Sequence, residues 1–416
     1  MPPITTKKGI KLFLWLGSFS LIFWNWSLED FFLPRPAEIF YFLVAMLGFL
    51  YLFFEKREKY LKKIPSLVSL SIFLFFIFTI IATAIGYFQY DIHLSLRGFG
   101  HLIRLIWGIW LFVITFVILK ESPSFYKKLY WSFLFPSLIY LPFIFSQDLA
   151  RNFSMIDAGD RFRGFSDQPN MCVIFAFISF ALVFCFFIDS FLKKKKFLSL
   201  IYLLLSSGLG VIILWTQSRA FVLALIASAY LSTILLARFY KKNFLKINIY
   251  VLSVIAIIIG MFLIMPNQMR ETYFDRVTRT TRRMIDRPQS DARVVSTQYY
   301  LRLMKENPTS IISGFGLNYE ASYMADWYGE AHGADTALDL FLNSGAFGLG
   351  AFILLNFCFL KNLKNRFNSR KKEGIPIIHY LGISSMLIGL NLAYILIGFP
   401  VYGGPFYWVL YAMVLV

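Results

Sequence analysis

Acid is scarce in this sequence. Asp and Glu number 23 against 41 Lys and Arg, and charged residues of both signs make up only 15% of the 416 positions. A soluble domain carries roughly a quarter charged residues, so an ordinary water-facing surface is excluded. Cysteine occurs three times, at Cys172, Cys185 and Cys358, each within an apolar run. An odd number without metal-type spacing excludes a disulfide framework and leaves these thiols as packing residues. Four histidines without paired spacing leave no zinc motif. The polar/apolar alternation of barrel strands is missing too.

What is present is apolar: 58% of the chain, with a mean hydropathy of +0.64. Runs of about 18 to 22 residues recur, long enough to cross a bilayer as helices. In lipid only helices and closed barrels satisfy their own backbone, so the expected fold is an all-α polytopic integral membrane protein. Hydropathy places about twelve transmembrane helices, at 10–28, 37–54, 65–87, 99–119, 129–147, 169–191, 198–216, 219–237, 247–265, 337–360, 376–398 and 401–416. The opening "KKGIKLFLWLGSFSLIFWNW" imitates a signal peptide, yet it lacks a small-residue cleavage site and reads as the first span. No internal repeat is visible.

The net charge of +18 does not point to nucleic acid, because the basic residues stand in short clusters between apolar runs. Twelve spans put both termini on one side. That side holds Lys7, Lys8 and Lys11, "EKREKYLKK", Lys120, Lys127 and Lys128, then "KKKK", "RFYKKNFLK" and "KNLKNRFNSRKK". Short loops rich in such residues stay inside, so both termini are expected in the cytoplasm. On the other side Lys305 is the only lysine. The remaining cations there are Arg35, Arg97, Arg151, Arg161, Arg163, Arg219, Arg302 and seven arginines between 269 and 293: Arg270, Arg276, Arg279, Arg282, Arg283, Arg287 and Arg293. Arginine offers a planar fork that matches phosphate or carboxylate at two points, whereas lysine offers a point charge. An outer face of arginines therefore suggests an anionic, phosphorylated ligand. The competing account pairs them with acids of their own loop, such as Glu271, Asp275, Asp286 and Glu306.

The chain divides into helices one to nine (1–265), a long polar segment (266–336) and helices ten to twelve (337–416). The polar segment is expected outside and folded. "SDARVVSTQYYLRLMKENP" starts with Ser290 and Asp291 as capping residues, aligns Val295, Tyr299 and Leu303, and stops before Pro308. "SGFGLNYE" follows with a turn at Gly314 and Gly316.

Four outer features carry candidate chemistry. "DRFRGFSDQPNM" places Arg161 and Arg163 ahead of Pro169 and the sixth span. "WTQSRAF" turns the seventh span into the eighth with almost no loop, and Arg219 at that depth is costly unless it faces a polar cavity. "RGFGHLIRLIW" aligns Arg97, His101 and Arg104 on one helix face as candidate ligand contacts, with snorkelling as the plainer account of Arg104. "YGEAHGADTALDLFLNSGAFG" holds His332 between Glu330 and Asp335, and histidine suits proton transfer near neutral pH.

Together these features resemble the O-antigen ligase and Wzy-type O-antigen polymerase superfamily. The resemblance rests on "RFRGFSDQPN", on "SRA" at the tight hairpin, and on an outer loop containing "DARVVSTQYYLRLMKENPTSIISGFGLN" that ends in a histidine before "LDLFLNSGAFG". It covers about residues 155–350. The family often has His-Asn where this chain has "HGAD", so either His332 or Asp335 occupies the position of the base. The resemblance implies a metal-independent, cofactor-free glycosyltransferase of the bacterial inner membrane, important in building the cell envelope and lipopolysaccharide. Its donor would be a glycan on undecaprenyl diphosphate. Its acceptor would be lipid A–core for a ligase, or another lipid-linked repeat unit for a polymerase. Arg163 and Arg219 would hold the diphosphate at the periplasmic face, with Arg293 contributing from the loop and Arg161 beside them. Two other classes compete. A secondary transporter or lipid flippase has a similar span count but usually an internal repeat. A metal-dependent glycosyltransferase would use Glu29 and Asp30 of the first outer loop as oxygen ligands.

Overall fold

The computed structural model describes residues 3–23, 36–54, 61–90, 96–156, 161–165, 169–240, 292–317, 338–369, 377–397 and 405–416, with scattered positions between 248 and 278. No strand occurs among them; the chain is an all-α, multi-pass membrane protein. In order the helices are α1 (Pro3–Phe19), α2 (Pro36–Phe54), α3 (Ser66–Gln89), α4 (Leu96–Glu121), α5 (Pro123–Leu134), α6 (Gln147–Asn152), α7 (Pro169–Leu192) and α8 (Lys196–Trp215). They continue with α9 (Arg219–Tyr240), α10 (Ala292–Glu306), α11 (Ser310–Ser313), α12 (Leu338–Ser369), α13 (Ile377–Ile397) and α14 (Pro405–Leu415). Among the described residues eight helical stretches are long and apolar enough to cross a bilayer, and α13 and α14 contain shorter apolar helices. The expected ninth span, 247–265, lies largely outside the described residues.

Helix α7 shows how sequence dictates position. "PNMCVIFAFISFALVFCFFIDSFL" is apolar on every side, and a helix of that kind belongs inside a bundle. Its apolar window is wholly enclosed by protein. Helices α8, α9 and α13 pack around it. Proline at its first position suits a helix start, because the missing amide would have had no partner there. By contrast α3 buries one face against α12, with Phe75 beside Phe352 (5.9 Å) and Phe78 on Phe347 (5.1 Å). Its Leu70, Phe73 and Ile81 point outward, where lipid would meet them.

One set of polar side chains inside the bundle is paired across three helices, which suits a water-free medium. Asn391 of α13 donates to Asn356 of α12 (2.9 Å), and Tyr411 of α14 donates to the same Asn356 oxygen (2.8 Å). Tyr407 completes the network through Asn391.

The two ends of the bundle differ. Lys7 pairs with Glu121 at 2.6 Å, Tyr51 donates to the same carboxylate, and Lys120 reaches the Val416 carbonyl at 3.0 Å. The start of α1 and the ends of α2, α4 and α14 thus share one end. Lys193 to Lys196 follow α7 at that end. The end of α3 and the start of α4 lie at the opposite end, together with the α8–α9 hairpin and residues 161–165. Among the described residues the lysines other than Lys305 gather at the first end, and Arg104, Arg161, Arg163 and Arg302 lie at the second, whereas Arg238 ends α9 at the first.

Three elements depart from expectation. The fifth span begins earlier, as α5, and then continues as a 3-10 segment over Pro136–Phe145, because Pro136 and Pro142 deny the backbone two α-helical donors. Helix α12 runs past the expected boundary to Ser369 and is interrupted at Gly345 (φ 66°). Helix α10 forms as expected, but among its described side chains the fully buried one is Tyr300. That ring, with Leu303, packs in a small outer core against Tyr90, Phe315 and Leu342, and Tyr299 lies at its edge.

Candidate arginine site at one end of the bundle

The segment Arg161–Phe165 is held by its two phenylalanines. Phe162 is fully buried, lying over Trp215 at 4.8 Å and meeting Tyr140 edge-on at 5.5 Å. Phe165 packs on the other side of Tyr140 at 5.8 Å, and its amide donates to the tyrosine oxygen. Gly164 between them has φ +61°, and a Cβ there would stand 2.7 Å from the Tyr140 ring, so both conformation and space require glycine. The amides of Arg163 and Gly164 donate to the Met155 carbonyl at 2.8 and 3.3 Å, closing the chain back on residues 154–156.

With the phenylalanines turned inward, Arg161 and Arg163 are half-buried at the edge. Each uses Nε on a backbone carbonyl. Arg161 donates to Thr216 at 3.0 Å and Arg163 to Ser154 at 2.9 Å. A bond at Nε fixes the plane of the guanidinium, which matters to a group that recognises oxyanions by shape. The Arg161 bond also crosses between segments. Thr216 caps α8, and Phe162 N–H donates to the Trp215 carbonyl at 3.3 Å, so "RFRGF" lies on the hairpin that leads into Arg219. Two features 50 residues and more apart in sequence are one structure here.

Arg219 opens α9, and Arg293 is the second residue of α10. The side chains of both, and that of Arg97, lie outside the described atoms. His332, Asp335, Glu29 and Asp30 lie outside the described residues. His101 is half-buried, and Arg104 meets the Glu38 carboxylate at 3.5 Å, which gives that arginine a structural partner. Arg302 is exposed and pairs with Glu306 at 2.8 Å, one turn along α10. That hydrogen bond raises its already high pKa further. For Arg302 the acid-pairing account of the loop arginines is the observed one.

The outer segment 310–317 is anchored at the same end. Phe315 N–H donates to the Leu342 carbonyl at 2.6 Å, and Leu317 N–H to Thr83 Oγ1 at 3.2 Å. Gly316 (φ +85°) lies so close to α3 that a Cβ would meet the Thr83 backbone at 2.5 Å. Tyr90 bonds Thr309 at 2.7 Å and meets Phe315 edge-on. Expectation named the glycine turn but not its receptors, Thr83 and the break at Gly345. It also passed over Tyr140, Trp215 and Ser154, which hold the arginine segment. Two aromatics flanking one glycine in "FRGF" are the signal that would have called for an aromatic receptor.

Among the described residues no group of three or more His, Cys, Asp or Glu is arranged to hold a metal ion. No protein-family model and no curated protein matches the chain.

Proposed function

We propose that this protein is a glycosyltransferase that moves a glycan from undecaprenyl diphosphate to an acceptor hydroxyl at the periplasmic face of the bacterial inner membrane. The observation that carries the reading is the Arg161–Thr216 hydrogen bond, which packs one arginine-bearing segment onto the hairpin that starts α9 at Arg219. Breaking the bond between an anomeric carbon and a diphosphate places negative charge on the departing oxygens. Arginines held in place beforehand stabilise that charge more strongly in the transition state than in the bound donor. Arg163 and Arg219 hold the diphosphate with help from Arg161, and Arg293 contributes from α10. The acceptor hydroxyl loses its proton to His332 or Asp335, six and three residues before Leu338 of α12 in the sequence. The lysine end faces the cytoplasm, with both termini, and the arginine end faces the periplasm.

The preferred acceptor is lipid A–core, which makes the enzyme an O-antigen ligase. A second lipid-linked repeat unit would make it a polymerase. Both use the same donor, so one experiment covers both. Purified protein in lipid nanodiscs is given a glycan-loaded undecaprenyl diphosphate with either acceptor, in excess chelator. Transfer to lipid A–core without added metal is the expected result. Transfer only to the lipid-linked acceptor identifies a polymerase. Activity that returns only with magnesium or manganese favours the Glu29–Asp30 enzyme, and no transfer to either acceptor sinks the reading. Arg219→Lys keeps the charge without the fork, and is expected to stay folded and lose most transfer.

A further inference from the structure

The hairpin between α8 and α9 contains a side chain that the turn does not need. Thr216 N–H donates to Ile212 and Gln217 N–H to Leu214, at 3.0 and 2.9 Å, so the backbone closes the turn by itself. Gln217 has φ +57°, the left-handed conformation in which glycine, or sometimes asparagine, ordinarily ends a helix. Glutamine is a strained choice there. The residue is also only 7% exposed, and its carboxamide oxygen has no hydrogen-bond partner among the described residues. Two residues earlier Trp215, 4% exposed, has an indole N–H that is likewise unpartnered among the described residues. Buried polar atoms in native proteins are nearly always satisfied, and each exception calls for an explanation.

The two orphans are chemically opposite. The indole N–H only donates, and the carboxamide oxygen only accepts. They flank Thr216, whose carbonyl holds Arg161, and they precede Arg219. A diphosphate is an acceptor throughout and leaves the Gln217 oxygen unsatisfied. A hydroxyl, or an acylamino group, both donates and accepts. From this, and resting on the glycosyltransferase reading above, we infer that Gln217 reads the donor's sugar. Its Oε1 accepts a hydrogen bond from a hydroxyl or amide N–H of the residue joined to the diphosphate, and the Trp215 indole serves a neighbouring oxygen. The arginines hold what every donor shares, while Gln217 distinguishes a glycosylated carrier from a bare one. A site built to hydrogen-bond a ligand group discriminates strongly against an analogue lacking it, because its own buried atom is then left unpaired.

The test uses the full chain in nanodiscs and two probes, undecaprenyl diphosphate alone and undecaprenyl diphosphate bearing one N-acetylhexosamine. Wild-type protein is expected to bind the sugar-bearing lipid at least fivefold more tightly. Gln217→Gly relieves the backbone strain and removes the carboxamide, so it is expected to unfold at or above the wild-type temperature. It should bind the bare lipid within twofold of wild type and show no preference for the sugar. Gln217→Asn tolerates the same conformation and should keep part of the preference. A glycine variant that retains the full preference, or weakens both lipids equally, overturns the role of Gln217. Wild-type binding of both lipids without preference overturns it too, while the donor reading stands. Failure of wild type to bind either lipid removes the donor reading itself.

Discussion

Arg161 and Arg163 are two residues apart, yet their guanidiniums anchor to different things. The Arg161 bond joins the segment to the hairpin at Thr216, whereas the Arg163 bond stays within its own loop at Ser154. Their conservative and truncating variants should therefore separate. Arg161→Ala removes a charged donor from a carbonyl and should cost about 1 to 3 kcal/mol, read as a lower unfolding temperature in detergent. Arg163→Lys keeps charge and bulk but loses the fork. It should unfold like wild type while transfer falls on the order of 10²-fold, the scale of losing one preorganised donor to developing negative charge. Equal behaviour of the two variants in both measurements would remove the distinction between a tie and a phosphate contact. The base is separable in the same manner. His332→Ala should lose on the order of 10² to 10⁴ in rate with donor binding intact. Asp335→Asn showing that loss in its place assigns the carboxylate.

Among elements, α12 is the one whose conformation depends on a single residue. Gly345 has φ +66°, and a Cβ on it would run into the Ile312 carbonyl and stand 2.6 Å from the Gly314 amide, both backbone atoms. The break exists because segment 310–317 docks there. Gly345→Ala should therefore cost roughly 2 to 4 kcal/mol through strain and displacement of that segment. Gly350, in the same helix, meets nothing within 4 Å of a built Cβ. Gly350→Ala is the control, expected to be neutral or stabilising by up to about 1 kcal/mol, and thermal unfolding of the two variants decides. The contrast shows what was legible in sequence. Helices α2, α3, α7, α8 and α9 follow from runs of apolar residues, which report burial in lipid or protein directly. The tight hairpin at 216–218 follows from the absence of any loop. Periodicity, however, says nothing about which distant residue a side chain meets. The Phe162–Trp215 contact, the Thr83 receptor, and the choice of Gly345 over Gly348 or Gly350 as the break are decided by tertiary approach.

At the scale of the molecule, the segregation of lysine from arginine is the argument on which sidedness rests. Geometry puts Lys7, Lys120 and Glu121 at one end and Arg161, Arg163 and Arg302 at the other. Which end faces the cytoplasm comes from the bias of short Lys- and Arg-rich loops toward the inside. That bias predicts opposite labelling at two exposed positions, Lys195 between α7 and α8, and Lys305 near the end of α10. The chain suits the experiment, because Cys172, Cys185 and Cys358 are all buried and should contribute little background. Lys305→Cys should react with a membrane-impermeant maleimide in cells whose outer membrane alone is permeabilised. Lys195→Cys should react only after the inner membrane is opened. The reverse pattern would turn the arginine end toward the cytoplasm. A lipid-linked glycan presented on the periplasmic leaflet could not then reach Arg161, Arg163 or Arg219. The bundle would keep its fold and its arginine cluster, but the cluster would need a cytoplasmic anion as its ligand.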